Sequence, residues 1–200
     1  MDVPGALVHR LFYPQVPAVM SAQRRGRVSA MPVVSYASIS DSPPLLAVSC
    51  NPDGFTCKLA VGAKAFSLSI MPRSSMSSVE RLAQVRGADV KDKLESVGLA
   101  HCSGTVLPVP VIEGAEAVLE CQLRSNRPHG DHVLLVGLVK AARASDAFSE
   151  FWDFGRYTPI LYAGWRGGLT TYPPDKLRPG ALRGRRAGRG PSSPSTGQNA

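Results

Sequence analysis

Residues 35–58 read SYASISDSPPLLAVSCNPDGFTCK, an apolar run set between two polar segments. The run is 45–50, and the segments 35–44 and 51–58 beside it are rich in Ser, Pro, Asp, Asn and Gly. These residues favour turns, and a short apolar run bounded by them is typical of a β-strand. The stretch therefore predicts one strand bordered by two polar loops, with hydroxyl groups and backbone amides collected at one margin of a sheet.

Further strands are predicted on both sides of this stretch. Apolar runs of strand length lie between turn signals at 16–20, 27–34, 65–70, 117–123 and 132–139. The run 117–123 alternates, which places Leu119 and Cys121 on one face and Glu120 on the other. Many short strands with few helices favour a barrel over a doubly wound parallel sheet.

Three short helices are expected between the strands. The Ser-x-x-Glu spacing at 77–80 is that of a capping box and predicts a helix that begins there. Apolar residues repeat at helical spacing over 90–97 and are followed by Gly98, which predicts a second helix and its end. A third helix is expected at 147–154.

The charge of the chain is concentrated at one end. Of 200 residues, 44% are hydrophobic and 19% charged, which is ordinary globular usage and predicts one domain, 1–172. Residues 173–200 carry +5 of the net charge of +8 and few apolar residues, so a disordered basic tail is expected there. A basic tail rather than a basic folded face argues against a nucleic-acid-binding fold, although a nonspecific hold of its arginines on nucleic acid remains the alternative.

Several classes of protein are excluded by missing motifs. The sequence has no GxSxG, HExxH, GxxxxGK[ST] or GxGxxG motif. No apolar run approaches a membrane span, and no signal-peptide pattern is present, so a cytoplasmic protein is expected.

The four cysteines form no CxxC pair and have no His at zinc-finger spacing, so no metal site is predicted. Free buried thiols are expected, with a cross-link between Cys50 and Cys57 as the less favoured alternative.

Seven segments follow one another in the order found in a known family. They are 11–19, GRVSAM at 26–31, the stretch 35–46, the stretch 51–58, FSLSI at 66–70, GDHVLLVG at 130–137 and PILYAG at 159–164. Together they resemble the flavin reductase-like proteins. The resemblance covers roughly residues 9–172 and implies a mainly β fold, a split β-barrel that binds FMN, with a few short helices.

The resemblance also implies roles for particular residues. Those implied to contact the flavin are Ser35, Tyr36, Ala37, Ser38, Cys50, Asn51, Thr56 and Lys58. Gly54 stands where the family often has a phosphate-binding Ser, so more of the phosphate contact is expected from Thr56 and Lys58, whose hydroxyl and ammonium groups suit it. His132 is implied to lie beside the reacting edge of the flavin. The alternatives are ordinary turn residues at 35–58, a core role for Tyr36 and a structural role for His132.

The expected activity is that of an NAD(P)H:flavin oxidoreductase. Hydride would pass from NADH or NADPH to the flavin, and electrons onward to free flavin, ferric iron or a redox protein, with the flavin at the interface of a homodimer. The sequence leaves the choice of nicotinamide and acceptor open. Two other functions remain: a flavin-binding electron carrier without NAD(P)H turnover, and a structural barrel that binds no flavin.

Overall fold

The structure is a computed structural model that describes residues 2–164 and 169–171. It is mainly β, as the sequence predicts. The strands are β1 Ala18–Arg24, β2 Arg27–Val33, β3 Tyr36–Asp41, β4 Pro44–Cys50, β5 Ala65–Ile70, β6 His101–Ser103, β7 Pro110–Ile112, β8 Ala117–His129, β9 His132–Ala144, β10 Ile160–Tyr162 and β11 Leu169–Thr171. The predicted tail, 173–200, lies outside the described residues.

Seven of these strands form one antiparallel sheet in the order β2-β1-β5-β8-β9-β4-β3. β2 and β3 stand at opposite edges of the sheet, yet only residues 34 and 35 lie between them in the chain. Two residues span less than about 10 Å, so the sheet must curl until its edges meet. The barrel predicted from the strand pattern is thereby confirmed. Within the described residues, two short sheets, β6–β7 and β10–β11, accompany the seven-stranded sheet.

The helices are α1 Phe55–Ala63, α2 Met76–Gln84 and α3 Lys93–Ser96, and 3₁₀-helices cover Gly5–Phe12 and Arg73–Ser75. α1 joins β4 to β5, and its apolar side packs inside the barrel. Alternate residues of β1 divide between two cores. Met20 faces an inner core that also holds Phe66 and Leu135, whereas Val19 faces an outer core with residues of α2 and α3. β1 is therefore covered on both faces.

Two segments predicted as loops are regular structure. Residues 36–41 form β3, which pairs only with β4 among the described strands and exposes most of its side chains. A Ser-rich sequence suffices there because an edge strand buries little apolar surface. Residues 55–63 form α1, since Cys57, Leu59 and Ala60 lie on the side of the helix that enters the inner core.

The helix predictions are confirmed in part. α2 lies where the Ser-x-x-Glu spacing places a helix, but it begins at Met76, and no side-chain hydrogen bond caps it at Ser75. The capping-box interpretation is therefore wrong. α3 is shorter than the apolar repeat over 90–97 suggests. The helix expected at 147–154 is absent from the described structure, because the aromatic rings there pack on one another across a turn. The centre of the Trp152 ring lies 5.1 Å from that of Phe148 and 4.6 Å from that of Tyr157.

Glu120 is the largest departure from the predicted face pattern. It is 2% exposed, although the alternation at 117–123 places it on the polar face of β8. Its carboxylate accepts four hydrogen bonds: from the backbone N–H of Thr105 (2.7 Å), Val106 (2.9 Å) and Leu107 (2.8 Å), and from the Thr105 hydroxyl (2.8 Å). Burial alone raises the pKa of a carboxyl group, but these donors outweigh it and lower the pKa of Glu120 to about 2.

Among the residues that the structure describes, no helix is both long and apolar enough to cross a membrane.

Candidate flavin site

A cavity of about 1100 Å³ opens at the end of the barrel where β2 and β4 finish and β9 begins. Its wall comes from four parts of the chain: the N-terminal segment 5–15, residues 31–35, residues 49–51, and the pair Asp131 and His132. Small-molecule sites usually occupy roughly 300–1,000 Å³, so the cavity is large enough for a ligand of nucleotide size.

Strand pairing explains why residues far apart in sequence meet at this cavity. Cys50 pairs with Val133 in the β4–β9 ladder, so Asn51 and His132 leave the sheet at the same end. The backbone N–H of Ser49 donates to the carbonyl of Ser35 at 2.8 Å, which holds the β2–β3 connection against β4. Four of the nine predicted site residues line the cavity: Ser35, Cys50, Asn51 and His132.

His132 is held by its neighbour in sequence. Its Nδ1 lies 2.8 Å from Oδ1 of Asp131, and 47% of its side chain is exposed. The hydrogen bond and charge of His132 lower the pKa of Asp131. Because Nδ1 is engaged, the other ring nitrogen is the one free to turn toward a ligand in the cavity.

The three predicted residues on β3 lie outside the cavity lining. Tyr36 is half-buried, and its hydroxyl donates to the carbonyl of Val16 at 2.9 Å. Burial raises the pKa of this phenol. Ala37 and Ser38 are exposed, and the register with β4 shifts between Ser38 and Ser40. Their contact with a flavin remains a prediction.

The start of α1 is a second polar feature near the cavity. Gly54 stands at its N-cap without a side-chain hydrogen bond, and its first turn holds no acidic residue. The nearest carboxylate in sequence is that of Asp53, one residue before the N-cap, and its charge is paired with Lys58. The turn before it is fixed by Asn51, whose backbone carbonyl accepts from Gly54 N–H at 3.0 Å and whose Oδ1 accepts from Asp53 N–H at 2.8 Å.

Thr56 and Lys58 differ in how far they are available to a ligand. Thr56 is 3% exposed, and its hydroxyl lies 2.9 Å from the hydroxyl of Ser29 inside the barrel. Lys58 is exposed, and its ammonium lies 3.2 Å from Oδ1 of Asp53. The backbone N–H groups of the first turn and the Lys58 side chain are thus better placed for an anion than the Thr56 hydroxyl.

Arg27 supports the start of α1, although the sequence analysis did not assign it to the site. Its guanidinium lies 5.2 Å from the centre of the Phe55 ring. It also donates to the backbone carbonyls of Gly87, Ala88 and Val90 at 2.7–3.2 Å. A Cβ at Gly87 would collide with the Ser29 hydroxyl, so only glycine lets this loop approach so closely.

The N-terminal segment was also missed as part of the site. His9, Phe12 and Tyr13 line the cavity, although His9 has no motif around it and residues 11–19 resemble a strand. Residues 5–12 are instead a 3₁₀-helix in which no residue is buried. Its amphipathic pattern was the available signal, because apolar residues recur at Leu7, Val8 and Leu11.

A cluster away from the cavity brings together Asp92, Glu95 and His101, whose ligand-type atoms lie within 4.8 Å of one another. The cysteine and histidine spacing gave no sign of it. His101 Nε2 lies 2.8 Å from Oδ2 of Asp92, and the other Asp92 oxygen accepts the N–H groups of Leu94 and Glu95. Asp92 thus caps α3 and ties it to β6.

The chain has relatives of known family in both sequence and fold. The sequence profile of the family described as "Flavin reductase like domain" matches residues 9–164. The chain belongs to this family. An uncharacterized protein of Aeropyrum pernix is 30% identical over 158 residues, which are 78% of this chain and 60% of that protein. The chain thus spans less than two thirds of that relative's length.

Two further members of the family carry functional names. A flavin reductase of Pseudomonas putida is 27% identical over 155 residues, covering 76% of this chain and 81% of that one. The crystal structure of an FMN-binding protein from Thermus thermophilus with bound 1-cyclohex-2-enone shares 31% identity, with a TM-score of 0.74 over 90% of this chain and 96% of that one. The resemblance seen in the sequence is confirmed, and the fold of this chain is that of flavin-binding relatives.

Proposed function

We propose that the protein binds FMN in the 1100 Å³ cavity and is an NAD(P)H:flavin oxidoreductase. The observation that carries this proposal is the convergence of Ser35, Asn51 and His132 on that cavity in a member of the flavin reductase-like family. Its neighbours named flavin reductase and FMN-binding protein support the flavin.

The residues present fit such a group. The isoalloxazine needs an apolar wall and a polar rim, and the lining supplies Met31, Val33 and Phe12 for the first and Ser35 and Asn51 for the second. The phosphate would be held by the N-terminal turn of α1, where backbone N–H groups and the helix dipole favour an anion, and by the Lys58 ammonium.

Bound FMN supplies the hydride and electron chemistry. The chain orients the group, limits the water around it and presents His132 at its edge. Because Nδ1–H donates to the Asp131 carboxylate, Nε2 is the ring nitrogen left for the cavity. In neutral His132 it accepts a hydrogen bond from a ligand, and it donates one only when the ring is protonated.

The proposal is tested by the absorbance spectrum of the protein loaded with FMN, followed without oxygen as NADH and then NADPH is added. Bleaching of the flavin band is the expected result. Free flavin, ferric iron and a redox protein are then offered as acceptors. Bound flavin that stays oxidised would support an electron carrier, which the FMN-binding name of the Thermus neighbour favours. Absence of binding would contradict the proposal and leave a structural barrel.

Removal of Lys58 should weaken FMN binding. The double change Thr56→Ala with Lys58→Ala is expected to raise the Kd for FMN roughly 10- to 100-fold, because a charge-assisted contact contributes about 1.5–3 kcal/mol. Most of the loss should belong to Lys58→Ala, since the Thr56 hydroxyl faces Ser29. Flavin fluorescence titration measures both, with the exposed Lys140→Ala as control. An unchanged Kd in the double variant would show that the phosphate lies elsewhere.

His132→Ala should slow flavin reduction without changing flavin affinity. We expect the rate of hydride transfer to fall on the order of 100-fold, the lower end of what a positioned proton donor contributes. Stopped-flow bleaching measures this rate. The control is His129→Ala, because His129 is the cross-strand partner of His132 but does not line the cavity. Equal rates in the two variants would leave His132 with a structural role only.

The homodimer is part of the same proposal. Leu11 and Phe12 on the N-terminal 3₁₀-helix are 66% and 67% exposed, and Ile39 on edge strand β3 is 51% exposed. Exposed apolar side chains beside a ligand cavity are typical of an interface. Sedimentation velocity should give the mass of two chains, and Leu11→Lys should shift it toward one. A single-chain mass in the unchanged protein would contradict the dimer.

A further inference from the structure

Three side chains of metal-binding type meet where α3 adjoins β6. Asp92 stands at the N-cap of α3, Glu95 lies within that helix, and His101 is the first residue of β6. One carboxylate oxygen of each acidic residue and a ring nitrogen of His101 lie within 4.8 Å of one another. The Asp92 and His101 side chains are only 18% and 15% exposed, whereas Glu95 is exposed. None of the three lines the flavin cavity, so the cluster is a separate feature of the fold.

The backbone fixes Asp92 with one oxygen turned to His101. Oδ1 of Asp92 accepts two N–H groups of the first turn of α3 at 3.0 and 3.1 Å, and Oδ2 lies 2.8 Å from His101 Nε2. The segment before Asp92 is tied to β2, because the Val28 N–H donates to the Lys91 carbonyl at 3.0 Å. Hydrogen bonds of this kind orient the carboxylates that bind metal ions. Asp92 Oδ2 and His101 Nε2 are therefore two converging atoms of ligand type.

A hollow of about 550 Å³ lies beside the cluster. Its lining is Gly26, Lys91, Asp92, Glu95 and Ser96. An ion can reach both carboxylates from this side and keep water as a further ligand. Zn²⁺ binds nitrogen and oxygen at about 2.0–2.2 Å, which puts two ligand atoms of a tetrahedron roughly 3.3 Å apart. The Asp92–His101 pair is close to that spacing, and rotation of the exposed Glu95 side chain brings in the third atom.

The charges of the cluster also favour a cation. Asp92 and Glu95 place two carboxylates close together. Among the ion pairs of the residues that the structure describes, the pair between Asp92 and His101 is the only one that involves either carboxylate. Lys91 borders the same hollow but forms no ion pair with them there. Like charges at this distance repel, and a divalent cation between them is attracted to both.

We propose that Asp92, Glu95 and His101 bind a divalent transition-metal ion, for which Zn²⁺ is the best match, with water from the hollow as the fourth ligand. One imidazole nitrogen and two carboxylate oxygens suit Zn²⁺, whereas Mg²⁺ and Ca²⁺ prefer oxygen alone. The ion takes the place of the proton between His101 Nε2 and Asp92, so the ring carries its proton on Nδ1. Bound metal joins α3 to β6. The site shares no residue with the flavin cavity and stands apart from the proposed function.

Glu95→Gln is the sharpest variant for this site. Its side chain is exposed, and the change leaves the Asp92 cap of α3 and the Asp92–His101 contact in place. Glu113→Gln, at an exposed glutamate in the turn between β7 and β8, is the matched control. His101→Gln removes the nitrogen ligand, and His129→Gln, at an exposed histidine, is its control.

The test is calorimetric titration of the untagged, full-length protein with ZnCl₂ and with MgCl₂. The wild type and both controls should bind one Zn²⁺ per chain at this site and bind Mg²⁺ far more weakly. Glu95→Gln and His101→Gln should raise the Kd for Zn²⁺ at least about 100-fold, because loss of even an outer partner of a metal ligand costs roughly 10- to 100-fold. Zn²⁺ should also raise the thermal unfolding midpoint of the wild type and not that of Glu95→Gln.

The competing ligand is a thiol. The four cysteines are free, and Cys102, which follows His101 in β6, is the exposed one. Co²⁺ in place of Zn²⁺ distinguishes the two cases, because thiolate ligation adds an intense sulfur-to-cobalt absorbance band that nitrogen and oxygen ligands do not give. We expect no such band. A thiolate band, or wild-type Zn²⁺ affinity in Glu95→Gln, would overturn the proposal. FMN affinity is measured on the same samples and should not differ between the wild type and Glu95→Gln.

Discussion

Replacement of Glu120 by Gln is expected to lower the free energy of unfolding by about 3 kcal/mol at neutral pH. The wild-type carboxylate accepts four hydrogen bonds from residues 105–107. The amide of Gln accepts on one oxygen only and turns its own N–H groups toward the remaining donors. Buried donors are then left without partners, which is among the largest costs that a single substitution incurs. Urea unfolding at pH 7 measures the change.

The pH dependence of stability gives an independent reading of Glu120. Its pKa in the folded protein is lowered from 4.5 to about 2, so its contribution is complete above pH 4.5 and is lost as the pH falls toward 2. The wild-type protein should therefore lose stability across this window, and Glu120→Gln should lose less. Glu113→Gln, at an exposed glutamate in the turn between β7 and β8, is the control and should change stability by less than about 0.5 kcal/mol. A wild-type pH profile identical to that of Glu120→Gln would contradict the assigned role.

Glu120 shows why face patterns in the sequence are incomplete. The alternation over 117–123 correctly identifies a strand, and Cys121 does face the inner core. Alternation cannot show, however, that the loop 104–108 folds over the opposite face. The Glu120 side chain is buried under this loop, and its carboxylate holds the loop in place by accepting hydrogen bonds from backbone N–H groups. Because almost every residue has such a group, the sequence pattern does not reveal these bonds.

The candidate site was predictable where strands bring it together. Antiparallel pairing of β4 with β9 brings Asn51 and His132 to the same end of the sheet, and the apolar runs predicted both strands. The family resemblance then supplied the roles. The resemblance could not show that the Thr56 hydroxyl turns inward to Ser29, because that depends on which side of α1 meets the barrel. Nor could it show the N-terminal wall of the cavity, since residues 5–12 form an exposed 3₁₀-helix without a motif.

The residues predicted to contact the flavin ring therefore lie on two different surfaces. Ser35, Cys50 and Asn51 line the cavity, whereas Tyr36, Ala37 and Ser38 lie on the edge strand outside its lining. A flavin in the cavity touches the first group. A flavin on the edge strand, covered by a second copy of the chain, touches the other. The two placements differ in their response to a bulky side chain inside the cavity.

Ser49→Trp is expected to raise the Kd for FMN more than about 100-fold, because the indole would occupy space that the flavin needs and overpacking costs several kcal/mol when neither group can move. Ser49 is a cavity residue on β4, with its backbone fixed by Ser35 and Leu134. Flavin fluorescence titration measures the affinity, and the urea midpoint shows whether the barrel remains folded. Ser103→Trp on exposed β6 is the matched control and should bind FMN normally. Normal FMN binding by a folded Ser49→Trp variant would show that the flavin does not lie in the cavity. It would favour the edge strand β3, and Ser38→Trp should then abolish FMN binding.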